Sequence, residues 1–102
     1  MASDFIPAEE VTSPRREWSL IAVLQDERRP KTCVLALGRW DNRPVLAMRW
    51  NGHKEFPIGN PQSRGLPTWF IVGEQFNDAL IENLRSEDKK ILARNFIPRG
   101  GK

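Results

Sequence analysis

Apolar residues along this chain fall into short unbroken blocks in the first two thirds and a spaced series near the end. Trp18-Ser19-Leu20-Ile21-Ala22-Val23-Leu24 is the first block, with charged residues on both sides. Ser13 and Pro14 could act as N-cap and first residue of a helix reaching Gln25. The block has no polar helical face of normal width, however, and it is read as a buried strand. Thr32 to Trp40 predicts a second strand, Arg43 to Trp50 a third, His53 to Phe56 a short fourth and Thr68 to Val72 a fifth. The last of these is rich in aromatic and β-branched residues, which suit a pleated surface.

The connections carry as much information as the blocks. Asp41-Asn42 and Asn51-Gly52 are each two residues of the kind that tolerates positive φ, and both predict tight type I′ hairpins. Tight turns set register, and register sets faces. The first turn places Trp40 opposite Arg43, Gly38 opposite Val45 and Ala36 opposite Ala47. The second places Trp50 opposite His53, Arg49 opposite Lys54 and Met48 opposite Glu55. One face then carries Cys33, Leu35, Leu37, Leu46, Met48 and Trp50, and is expected to be core. The other carries Val34, Ala36, Gly38, Trp40, Arg43, Val45, Ala47, Arg49 and Lys54. Small residues lie in its middle and basic groups toward its ends, so it is expected to be only partly covered.

After Gly73 the period lengthens. Phe76, Leu80 and Leu84, flanked by Ala79 and Ile81, share one side of a helix, with acidic residues early and Lys89, Lys90 and Arg94 late, as the helix dipole favours. Ser86 can cap a second helix over 87–95 with Ile91, Leu92 and Phe96 inward; one longer bent helix is equally allowed. The fold class expected is α+β. It is an antiparallel meander of about five strands, curled toward a small open barrel, with a C-terminal helix or bent helix pair on one face. Residues 1–14, with two prolines and no periodicity, are expected to be a flexible tail. Residues 15–97 form the domain, and 98–102 are a second tail.

Between the fourth and fifth strands runs Phe56 to Pro67, F-P-I-G-N-P-Q-S-R-G-L-P, which holds three of the eight prolines and two of the seven glycines. Proline fixes φ and withholds a donor, so this stretch is neither helix nor central strand. It is read as an ordered loop presenting Asn60, Gln62, Ser63 and Arg64, or as a crossover in which Arg64 satisfies carbonyls inside the fold.

Composition narrows the chemistry. Cys33 is the only cysteine, which excludes an internal disulfide and a multi-cysteine zinc site. His53 is the only histidine and shares no element end with Cys33, so no nucleophile–base pair is foreseen. No phosphate-cradling glycine motif occurs, and neither a cofactor nor a metal is expected. The N-terminus lacks the apolar core of a secretory signal, and no run approaches the roughly 18 apolar residues of a membrane span. A cytoplasmic protein without membrane contact is the expectation. The net charge of +3 permits anionic partners without demanding them.

The function expected is a non-catalytic binding module for single-stranded nucleic acid or RNA. Basic groups interleaved with aromatics allow phosphate neutralisation together with base stacking. Trp40 is assigned to stacking, Arg43, Arg49, Lys54 and Arg64 to anions, and Asn60, Gln62 and Ser63 to polar contacts. The alternative is a protein-interaction or homodimerisation module, with Trp40 as its anchor or a strand edge as its seam.

Overall fold

The computed structural model describes residues 4–100. Three long strands run antiparallel: β1 (Trp18–Gln25), β2 (Cys33–Trp40) and β3 (Arg43–Trp50). Two short strands, β4 (Gln62–Ser63) and β5 (Leu66–Pro67), pair only with each other, and β6 (Phe70–Ile71) joins the free side of β3. The main sheet therefore has the order β1-β2-β3-β6. Helices α1 (Asn77–Glu82) and α2 (Glu87–Arg94) close the chain.

The β2–β3 hairpin has the expected register throughout, from Trp40 opposite Arg43 to Cys33 opposite Trp50. Its turn is left-handed at both positions, with φ of 51° at Asp41 and 69° at Asn42, as a type I′ turn requires. The second expected hairpin does not form. Asn51 is buried, its amide nitrogen donating to Asp26 Oδ1, the Arg29 carbonyl and Thr32 Oγ1, so its side chain ties down the β1–β2 loop. Gly52 is needed for close approach: a Cβ there would lie 2.3 Å from the Phe56 carbonyl oxygen and 2.5 Å from that of Pro57. Instead of returning along β3, the chain makes a local turn in which His53 and Phe56 bond each other. Asn60 then pairs with Trp50. The expected fourth strand is thus a single bridge, and Arg49 and Lys54 are not partners.

Each face of the sheet carries a packed cluster, which the sequence reading did not foresee. Leu24, Leu35, Leu37 and Leu46 pack with Val72, Ile81, Leu84, Ala93 and Ile97 on the helix side. Phe76 and Ile91, expected to point inward, are exposed. On the other side Val34, Ala36 and Ala47 pack with Trp18, Trp69, Ala8 and Val11. The segment expected to be an N-terminal tail lies over this face: Ala8 and Val11 are 0% exposed, and Ile6 donates to the Pro57 carbonyl. The stretch 98–100 is also tied down. Arg99 pairs with Glu82 at 2.9 Å, and the Gly100 N–H donates to Asp78. The outermost parts of both expected tails, 1–3 and 101–102, lie outside the described residues.

The helix pair is divided, one of the two arrangements the periodicity allowed. Ser86 caps α2, accepting from the Lys89 N–H. Arg94 bridges back to Asp78 at 2.8 Å and so holds the second helix to the first.

Candidate functional site

Arg49 explains how the Pro-rich loop is ordered. Its side chain enters the covered face of the sheet and is only 2% exposed. One guanidinium nitrogen donates to the carbonyls of Pro61 and Thr68, and the other donates to that of Ile58. Burial pushes this guanidinium down to about 10, which still leaves it cationic at neutral pH. No carboxylate is its partner; three backbone dipoles hold the charge. Gly59, with φ of 70°, lets the loop close around it, since a Cβ would sit 2.7 Å from the nearer guanidinium nitrogen. Filling carbonyls inside the fold is thus the work of Arg49, not of Arg64. With its guanidinium enclosed by carbonyls, Arg49 is not the exposed cation that the expected anion set made of it.

The other expected site residues separate into three places. Trp40 is half-buried against the covered face, and Arg43 is exposed beside it at the β2–β3 turn. Gln62, Ser63 and Arg64 form the small β4–β5 hairpin, where Gln62 Oε1 accepts from the Gly65 N–H at 2.8 Å and Arg64 takes a φ of 53°. Lys54 and Asn60 lie at the opposite end of β3 from the β2–β3 turn. The continuous basic-aromatic sheet face does not exist, because Trp18, Trp69 and the N-terminal segment occupy its middle.

A different aromatic surface takes shape at the far end of β3. Trp50, assigned to the core from its position in the alternation, is 53% exposed. Its neighbours on the same face are only partly covered: Cys33 lies opposite it, and Met48 lies opposite Phe70, itself 62% exposed. The core on the helix side extends along β3 as far as Met48 and does not take in Trp50.

Trp50 separates two depressions. One is a cleft of about 260 Å³ lined by Lys31, Trp50, Asn51, His53, Phe56 and Asn60, among others. The Trp50–Asn60 bridge sets one wall, and the mutual His53–Phe56 bonds of 3.1 and 3.0 Å set the other. The His53 and Phe56 rings lie 6.5 Å apart between centroids. The Lys31 N–H donates to Gly52 at 3.3 Å, bringing its side chain to the rim, and Lys54 is exposed on the adjoining turn. Neither lysine forms an ion pair among the described residues. Glu55 is the nearby acid. Its bond from His53, its own backbone N–H and the field of Lys31 hold its carboxyl below the usual range.

The second depression is a trough of about 240 Å³ lined by Cys33, Met48, Arg49, Trp50, Pro61 and Phe70. Its walls are mostly apolar. Cys33 is partly buried, and burial raises its thiol above the ordinary value. His53 bonds Glu55 at 3.2 Å. Among the described residues no group of three or more His, Cys, Asp or Glu side chains gathers that could hold a metal ion, and no helix is long and apolar enough to cross a membrane.

Of the residues gathered around Trp50, the expected set contains Lys54 and Asn60 and leaves out Lys31, Trp50, Phe56 and Phe70. Alternation held no signal for them, since it fixes a residue's side of the strand and not what covers that side. Compared with family models, with curated proteins and with solved structures, the chain finds no match in any of the three.

Proposed function

We propose that the protein is a non-catalytic module that binds single-stranded nucleic acid in the cleft beside Trp50. Trp50 and Phe56 offer aromatic surfaces for bases, Lys31 and Lys54 neutralise phosphates, and the Asn60 amide hydrogen-bonds a base edge. The observation that carries this reading is the exposed Trp50 indole at a cleft lined by Lys31, with Lys54 exposed on the adjoining turn. A large indole left half in water is an anomaly for folding alone, and beside unpaired cations it suits a planar, anionic ligand.

The test is titration of a labelled oligonucleotide against the native chain and the Trp50→Ala variant. Loss of one stacking contact is worth about 1–3 kcal/mol, so Kd should rise about 5- to 150-fold. Lys31→Ala with Lys54→Ala should flatten the salt dependence by about 1.4 in the slope of log K against log salt, two phosphates' worth. Native-like affinity in the Trp50→Ala variant would end this reading.

A second reading, pairing with another copy of this chain, is favoured by the trough between Trp50 and Phe70. It adjoins β6, a two-residue strand at the edge of the sheet. Pairing there would show as a doubled mass in sedimentation that survives salt and is lost in Phe70→Glu.

A further inference from the structure

On the covered side of the sheet, the N-terminal segment and the β4–β5 hairpin leave a groove of about 680 Å³ between them. Arg15 stands on one wall and Arg64 on the other, both exposed and neither in an ion pair among the described residues. Ser13 and Ser63 add hydroxyl donors, and Glu10 is the single acid of the lining. Two unpaired guanidinium groups across an open groove form an anion-binding arrangement, since each can fork onto phosphate oxygens.

The groove does not stand apart from the cleft. Ile6 lines it, and the Ile6 N–H donates at 3.1 Å to the carbonyl of Pro57, the residue next to Phe56 of the cleft. Phe56 of the cleft and Ile6 of the groove are thus joined through Pro57.

We infer that the groove carries the phosphate backbone of the same strand beyond the nucleotides held at Trp50, so that the full site spans several nucleotides. This rests on the nucleic-acid reading given above. An acidic peptide would share the charge match, but an extended peptide also needs backbone partners along a wall. Here Pro14 and Pro67 withhold their donors, one on each wall. A phosphodiester chain needs only the cations.

Fluorescence anisotropy with oligothymidylates of about four and about twelve nucleotides tests this, the range of site sizes usual for such modules. Arg15→Ala with Arg64→Ala should leave the short oligomer's Kd unchanged. It should weaken the long one about tenfold and lower its salt slope by about 1.4. Glu10→Gln, which removes the one opposing charge, should tighten the long oligomer alone. The inference is overturned if the double variant binds both lengths like the native chain, or weakens both equally while circular dichroism shows it folded. It is also overturned if polyglutamate binds the groove and is lost with the two arginines while the long oligomer is not. A Trp50→Ala variant with native affinity for the short oligomer would instead sink the function proposed above, a separable result.

Discussion

The Trp69 indole N–H donates a 2.8 Å hydrogen bond to the carbonyl of Val11, joining residues 58 positions apart in the chain. Both groups are buried, and the Trp69 ring lies 5.4 Å from that of Trp18. This contact fastens the N-terminal segment across a sheet face that would otherwise be wet. It also explains why the small residues Ala36, Gly38 and Ala47 stand there: they make room for two indoles and an overlying chain.

Trp69→Phe keeps most of the apolar contact and removes the donor. A buried carbonyl then loses its partner, at a cost of about 1–3 kcal/mol. Amide hydrogen exchange should quicken around Ala8 and Val11 more than in β2, since the tether is lost but the strand ladder is kept.

Gly38 faces the Trp18 ring so closely that an added Cβ would lie 2.3 Å from one ring carbon and 2.7 Å from the Ser19 carbonyl oxygen. The ring could turn aside, but the backbone carbonyl cannot move without disturbing the β1–β2 ladder. Gly38→Ala should destabilise by about 1–3 kcal/mol, the usual cost of overpacking, read as a lower denaturant midpoint with an unchanged slope.

Arg49→Met tests whether the Pro-rich loop depends on its buried cation. The methionine stem fills part of the space but leaves the Ile58, Pro61 and Thr68 carbonyls without their shared donor. Proteolysis within 57–68 should accelerate, and Arg49→Lys should rescue poorly, because an ammonium lacks the planar fork that reaches several carbonyls. Binding at Trp50 should weaken as well, since Asn60 belongs to this loop.

Acid should loosen the helix pair. The Arg94 bond, then the Gly100 N–H, holds the Asp78 carboxyl below its ordinary value, and Arg99, then Arg94, does the same for Glu82. A carboxyl depressed in the folded state contributes stability above its unfolded value and loses it as pH falls through the folded one. Thermal midpoints should therefore drop below about pH 4, with a shallower drop in Asp78→Asn. Both carboxylates are exposed, so the effect should shrink in added salt.

Much of this architecture is local and so was readable in the chain itself. The three long strands, the type I′ turn at Asp41-Asn42, the β2–β3 register, the Ser86 cap and the core role of Leu35, Leu37 and Leu46 follow from alternation and turn chemistry, which involve near neighbours. Alternation could say that Val34, Ala36 and Ala47 share a face, but not what lies over it. Only the tertiary structure decided that the N-terminal segment and Trp69 cover this face, that Arg49 is enclosed by carbonyls of its own loop, and that Asn51 serves the β1–β2 loop instead of a hairpin. The same holds for Trp50: its side of the strand was set by register, its exposure by a helix-side core that stops at Met48. Burial is a property of what arrives from distant parts of the chain, and a two-residue period carries no record of that.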